Sequence, residues 1–340
     1  MRILVTGGAG FIGSHLVRRL LANDQDRVVN LDALRYSGNL ENLADVTGHP
    51  HYSFVHGDIC DIVTVEKVFK EYRAEVVINC AAETHVDRSI LDPGGFARTD
   101  VLGTGVLLEQ ARKAGVTRFL QVSTDEVYGS VERGHSKEDD SLAPRSPYSA
   151  SKAGGDLLVL SYWSTYRLPV LITRGSNTYG PNQYPEKFIP LCITNAIDDQ
   201  PLPLYGDGRY RRDWLSVFDH CAAIEHVLRH GEPGNIYNIG GGHELENLSL
   251  AEGILKNLGK PRSLIRFVED RPGHDRRYAV DCSRLRTLGW TPTVSFEEGL
   301  RATVDWYRSH ERWWRRIKSG EFRTYYQQMY GKRLREGIAG

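Results

Sequence analysis

The sequence predicts an α/β fold: a doubly wound parallel sheet carrying a smaller C-terminal α/β substrate-binding domain. Three observations predict it. Short β-branched runs alternate with helical patterns through the first half of the chain, the rhythm of βαβ units. The first run opens directly into a glycine loop, GGAGFIG. Beyond about Tyr179, prolines and glycines interrupt the pattern, and amphipathic helices alternate with short strands.

The strand-like runs are Arg2–Thr6, Arg27–Asp32, Tyr52–His56, Val76–Asn79, Arg118–Val122 and Val170–Arg174. Between the last two, a helix is expected from near Tyr148 through Leu157 to Tyr166, after the breaker-rich stretch Ala143–Pro147. Later helices are expected at Phe188–Ile197, Asp219–His230, Leu250–Leu258 and Phe296–Tyr307. Residues 1–178 are therefore read as a dinucleotide-binding domain of Rossmann type, with segments up to about 240 partly returning to it. Residues 179–330 are read mainly as a substrate domain, and 331–340 as a flexible tail. The Trp313–Lys318 stretch reads as an amphipathic helix rather than a nucleic-acid patch.

Composition narrows the class. Of 340 residues, 40% are apolar and 25% charged, which excludes a disordered chain. Lys plus Arg and Asp plus Glu number 43 each, so no global field draws the protein to nucleic acid or an acidic membrane. No apolar run approaches the roughly 20 residues of a membrane helix. The five cysteines are scattered, without Cys-x-x-Cys spacing, which argues against disulfides and against a metal site. With a strand beginning at once and no leader pattern, a cytoplasmic protein is expected.

Gly7, Gly10 and Gly13 stand where a strand turns into a helix that begins near Phe11 and Ile12. Missing side chains let backbone N–H groups approach a pyrophosphate, and the helix N-terminus favours its charge. Asp32 closes the second strand 19 residues after Gly13, where a carboxylate meets an adenosine ribose and repels a 2′-phosphate. NAD is therefore expected over NADP, although Arg35, just beyond Leu34, offers a guanidinium to such a phosphate. Asp58 and Ile59 follow the third strand, and Ala81 and Ala82 the fourth, both at the edge where an open parallel sheet binds ligands. A tight turn without a ligand is the alternative for the glycines alone.

Tyr148 and Lys152 lie one helical turn apart and share a face. A phenol, with an ordinary pKa near about 10, needs a neighbouring cation to act as a base, and Lys152 is expected to supply it. The strand FLQVS ends in Thr124, Asp125 and Glu126, again at the ligand edge.

Through GGAGFIG, STDEVYG and YSASK the chain resembles the extended short-chain dehydrogenases. Through LRYSGNLENL (34–43), AAETHVDRSI (81–90), YGPNQYPEKFIP (179–190), PLPLYGDG (201–208), RDW (212–214), YNIGG (237–241) and DRPGHDRRYAVD (270–281) it looks like the dTDP-glucose 4,6-dehydratases. The resemblance implies a homodimer, through helices near Gly95–Lys113 and Tyr148–Tyr166, that keeps NAD bound and acts on a dTDP-hexose. Tyr148, held by Lys152 and helped by Thr124, takes the C4 hydroxyl proton as hydride passes to NAD. Glu126 then removes the C5 hydrogen, Asp125 protonates the departing C6 hydroxyl, and hydride returns to C6. The same resemblance assigns Thr99 to the cofactor and Thr84 and Asn177 to the sugar. It assigns Arg212, Asn247 and Arg271 to the diphosphate, Pro203, Tyr205 and Lys187 to the base, and Glu186 and His274 to the substrate generally. The alternatives are a UDP-sugar 4,6-dehydratase or a 4-epimerase of the same fold and, from another class, a non-catalytic NAD-binding subunit.

Overall fold

A computed structural model describes residues 1–336, and its framework follows from how the first strands bury alternate faces. In β1 (Arg2–Thr6), Ile3 and Val5 enter one apolar cluster and Leu4 the other, because successive side chains of a strand point to opposite sides. Such two-sided burial suits a parallel sheet covered by helices on both faces.

The sheet continues with β2 (Arg27–Asp32), β3 (Tyr52–His56), β4 (Val76–Asn79), β5 (Arg118–Thr124) and β6 (Val170–Gly175). Its seven strands run in the order β10-β6-β5-β4-β1-β2-β3, where β10 is Ile236–Ile239, and every neighbouring pair is parallel. The order reverses between β1 and β4, and a crevice at their C-terminal ends is where such sheets bind dinucleotides. Helices α1 (Phe11–Leu21) and α8 (Val217–His230) cover one face. On the other lie α2 (Ile62–Tyr72), α5 (Thr104–Ala114) and α6 (Pro147–Tyr166). The short helices α3 (Val86–Leu91) and α4 (Pro93–Ala97) lead through a π-helical segment, Arg98–Gly103, into α5.

The other lobe is built on two small sheets. Strand β9 (Arg211–Ser216) pairs in parallel with β7 (Asn177–Tyr179) and antiparallel with β11 (Glu244–Glu246), while β8 (Leu202–Tyr205) pairs in parallel with β12 (Ile265–Val268). Its core joins α7 (Phe188–Ile197), α9 (Asn247–Leu258), α11 (Phe296–Ser309) and α12 (Glu311–Ser319) through Ile193, Trp214, Ile254, Tyr307 and Trp314. Helix α10 (Ser283–Thr287) sends Leu285 back to the large sheet.

The tryptophan pair of α12 is buried, and Trp314 Nε1 donates to the Tyr307 carbonyl at 2.8 Å. Its Arg315 and Arg316 pair with Asp198 and Glu41. Helix α13 (Glu321–Tyr330) follows. Within the stretch expected as a flexible tail, Arg333–Glu336 forms a short helix, α14, and Arg333 donates to the Tyr205 hydroxyl at 3.2 Å. Residues 337–340 lie outside the described residues. No helix among the described residues is long and apolar enough to cross a membrane. All five cysteines are unpaired.

Candidate active site

A cleft opens at the switch between β1 and β4. Gly7, Gly10, Phe11, Ile12, Gly13, Asp32, Arg35, Asp58, Ile59, Ala81, Ala82, Thr84 and Thr99 line it, with Glu186 and Lys187 at the far side. Gly7 has φ +68°, and a Cβ there would meet the Ala81 nitrogen at 2.7 Å; one on Gly13 would lie 2.2 Å from the Gly7 carbonyl oxygen. Helix α1 has Gly10 at its N-cap with no side-chain cap, so its first N–H groups are open to an anion at that end of the cleft. The Asp32 carboxylate accepts from the N–H groups of Ala9 and Leu34 at 2.8 Å each, which ties the glycine loop to the end of β2. Burial pushes that carboxyl above its ordinary value.

Leu34 stands outside the lining, with φ +49° and its side chain packed on the core beneath. Arg35 bridges three strand ends, donating to Asp58 at 2.8 Å and lying 3.6 Å from Glu83. Two carboxylates thus hold the guanidinium that a 2′-phosphate would require. Tight glycine cradle, uncapped helix and acidic ribose position together fit NAD.

The reactive groups gather beside this cleft from two directions: Thr124, Asp125, Glu126, Tyr148 and Lys152 stand outside its lining, and Glu126 meets it at Lys187. Strand β5 delivers Thr124, which caps the following 3₁₀ turn Asp125–Tyr128 by accepting from the Glu126 N–H at 3.3 Å. Helix α6 starts with a reciprocal cap: the Ser146 hydroxyl accepts from the Ser149 N–H at 3.1 Å, and the Ser149 hydroxyl from the Ser146 N–H at 3.0 Å. Pro147 occupies the first helical position, so Tyr148 projects from the first turn.

Asp125 is buried, with one oxygen accepting from Thr124 at 3.2 Å and the other without a partner. Burial, Glu126 and Asp213 push its carboxyl well above the usual range. The Glu126 carboxyl is also raised by burial, but Arg271, Arg212 and Lys187 draw it back. The Tyr278 hydroxyl, 2.8 Å from Asp275, also lies 3.4 Å from Glu126. Adjacent carboxyls thus meet unequal surroundings: beside Asp125 two acids stand against Arg212, whereas beside Glu126 three cations stand against Asp275. That inequality separates an acid from a base.

The expected partnership of Tyr148 with Lys152 takes a different form. Among the described residues no direct hydrogen bond joins them, and Lys152 Nζ donates to the Val122 carbonyl at 2.8 Å. Burial, Glu126 and Asp100 push the Tyr148 phenol well above its ordinary value, against the Thr124 hydroxyl. Helical spacing places the two side chains on one face but does not decide which acceptor the longer one finds.

Around the other lobe, Arg212 donates to the carbonyls of Arg211 at 2.8 Å and Asp275 at 2.9 Å and lies over the Tyr278 ring. Asn177 and Asn247 each keep a buried side-chain oxygen without a partner, as Arg271 keeps its Nε. Pro203 and Tyr205 lie on β8, and the Tyr205 hydroxyl donates to Asp87 at 2.9 Å. His274 stacks on Tyr210 at 3.8 Å and pairs with Asp270 at 2.7 Å. Lys187 donates to the Thr84 carbonyl, and both residues line the cleft. Glu186 accepts from Arg88 at 2.8 Å.

Sequence reasoning passed over Asp87, Tyr278 and Asp275, as well as Gln183 and Tyr184 of the cleft lining. Asp87 and Tyr278 stood inside quoted motifs, but no local pattern marked them. Among the described residues no cluster of His, Cys, Asp or Glu is arranged to hold a metal ion.

A protein-family model described as GDP-mannose 4,6 dehydratase matches residues 4–303. The chain belongs to that family. It is 51% identical over 330 residues to a dTDP-glucose 4,6-dehydratase of Streptomyces niveus, covering 95% of this chain and 98% of that one. It is 54% identical over 307 residues to the low-salt glycan biosynthesis protein Agl12 of Haloferax volcanii, covering 90% and 98%. Among solved structures, the dTDP-glucose 4,6-dehydratase DesIV of Streptomyces venezuelae, with NAD bound, matches at 50% identity and TM-score 0.91, covering 94% of this chain and all of that one. A UDP-glucose 4-epimerase of Thermus thermophilus, also with NAD, matches at 34% identity and TM-score 0.85, covering 91% and 100%. Dehydratases and epimerases thus share this framework, so the reaction must be argued from side chains.

Proposed function

We propose that this protein is an NAD-dependent dTDP-glucose 4,6-dehydratase, converting dTDP-glucose to dTDP-4-keto-6-deoxyglucose. One observation carries the reading: adjacent carboxyls, Asp125 and Glu126, lie within electrostatic reach of Tyr148 and of each other, with their acidities set apart by their neighbours. A 4-epimerase has no use for an acid and a base acting together on C5 and C6, since it eliminates no water.

Held in the glycine cradle, NAD supplies the acceptor and later the donor of the hydride. Tyr148 receives the C4 hydroxyl proton as a phenolate, a form that burial opposes and that the Thr124 hydroxyl and the positive charge of a bound oxidised nicotinamide would favour, while Lys152 is anchored at the Val122 carbonyl. The 4-ketone acidifies the C5 hydrogen, and Glu126 takes that proton in its ionised form, favoured by Arg271, Arg212 and Lys187. Asp125, kept neutral by its surroundings, gives its proton to the C6 oxygen, which leaves as water. A proton then returns to C5 as C6 is reduced, and the cofactor ends as it began.

Arg212, Asn247 and Arg271 receive the diphosphate. Pro203, Tyr205 and His274 receive the base, and Thr84, Asn177, Glu186 and Lys187 border the sugar. The buried, unpartnered atoms of Asn177, Asn247 and Arg271 support this arrangement, because polar groups left unmatched under burial are costly without a ligand.

The chain acts in the cytoplasm as a homodimer. Ile62, Leu102, Leu157 and Tyr166 are exposed apolar side chains on the face that carries α5 and α6, and sedimentation as a monomer would refute the dimer. For the activity, dTDP-glucose deuterated at C4 should yield a 4-keto-6-deoxy product, identified by mass and NMR, with deuterium in the new methyl group. Formation of dTDP-galactose, turnover of UDP-glucose alone, or loss of the label to solvent would overturn the reading.

A further inference from the structure

Helix α3 belongs to the cofactor lobe, yet its side chains hold residues of the other lobe. Asp87 is 1% exposed. One of its oxygens accepts from the Arg271 guanidinium at 3.1 Å, the other from the Tyr205 hydroxyl at 2.9 Å. Arg271 follows β12 and Tyr205 ends β8, so they come from separate segments of the substrate lobe. Next to Asp87, Arg88 donates to Glu186 at 2.8 Å and lies between the rings of Tyr36 and Tyr325, at 3.8 and 4.3 Å.

A buried carboxylate shared by a guanidinium and a phenol fixes the direction of both. Burial opposes its charge, but His85, Arg271 and Tyr205 hold it below the usual carboxylate range. Arg271 commits one terminal nitrogen to Asp87, and its buried Nε has no partner, so donors remain for an incoming oxyanion.

We infer that Asp87 is a positioning residue for the nucleotide sugar, holding Arg271 and Tyr205 in the arrangement that receives diphosphate and base. The inference rests on the roles given to those two residues in the proposed function. It also means that the nucleotide end of the substrate is aimed by the lobe that carries the cofactor, so the two ligands share one frame.

Asp87→Asn keeps the shape but leaves one acceptor for two donors and turns an N–H toward the other. With dTDP as the probe, its dissociation constant should rise roughly tenfold to a hundredfold, as for loss of a hydrogen bond to a charged group. KM for dTDP-glucose should rise in parallel, kcat should change far less, NAD content should stay the same, and Asp87→Glu should restore part of the loss. Added to Arg271→Ala, the substitution should cost less than it does alone, because both disturb one contact.

Unchanged dTDP affinity in Asp87→Asn, with Arg271→Ala weakened, would overturn the role of Asp87 and leave the proposed function standing. Unchanged affinity in Arg271→Ala would instead remove Arg271 from the diphosphate site and the inference with it. A loss confined to kcat would also overturn it. Should Asp87→Asn not fold, Asp87→Glu keeps the charge but displaces it by one methylene; dTDP binding weaker than in the parent supports the inference, and unchanged binding refutes it.

Discussion

Replacing Asp125 with asparagine tests the division of labour between the two carboxyls. The amide preserves the shape and still accepts the Thr124 hydroxyl, held at 3.2 Å, while removing the one proton the elimination requires. General acid catalysis contributes about a hundredfold to ten-thousandfold, or about 3–5 kcal/mol of barrier. The loss falls on water departure alone, because Tyr148 and the cofactor cradle are untouched.

In rapid mixing with dTDP-glucose, absorbance of the reduced cofactor should therefore accumulate and decay slowly, while steady turnover falls by that factor. Damage to the fold is separable. The Asp125 carboxyl is raised above its unfolded value, so the stability of its neutral form is complete at acid pH and is lost as pH rises through the native pKa. Asparagine does not ionise, so the variant should be at least as stable as the parent near neutrality and above. Normal turnover would remove Asp125 from the acid role. Lost turnover without any reduced cofactor would place it in the oxidation step instead.

Tyr148→Phe should cut turnover at least about a hundredfold, with no reduced cofactor formed on mixing; a near-normal rate would require another base. Gly13→Ala puts a methyl 2.2 Å from the Gly7 carbonyl oxygen, so NAD affinity, measured by fluorescence titration, should fall roughly tenfold or more; unchanged affinity would refute the cradle. Lys187→Met removes one of the cations that draw the Glu126 carboxyl down. Glu126 acts in its ionised form, so the acidic limb of kcat/KM should move to higher pH, and a limb that stays or moves lower would refute that role.

Much of the cofactor lobe was legible because its signals are local. The apolar runs that became β1 to β6 are long enough for their chemistry to imply extended, doubly buried strands, and Gly7 and Gly13 mark a place where backbone must approach backbone. The breaker-rich stretch ending at Pro147 likewise announces the helix that presents Tyr148, and the structure adds the Ser146–Ser149 cap at its start. The four residues of β10, by contrast, contain nothing that says their neighbour is β6, about sixty residues earlier. That pairing is set by which sheet edge remains open once the earlier strands have closed.

The site divides in the same way. Sequence alone determined the dinucleotide cradle, the Tyr148–Lys152 spacing and the carboxyl pair, since each depends on residues within one or two turns of chain. Only the tertiary structure decided that Lys152 anchors at Val122, that Lys187 enters the cofactor cleft, and that Asp87 reaches across to Arg271 and Tyr205. It also set Asp125 and Glu126 apart. An acidity is fixed by burial and by charges gathered from distant segments, and neighbours that meet only in space leave no period or spacing to read along the chain.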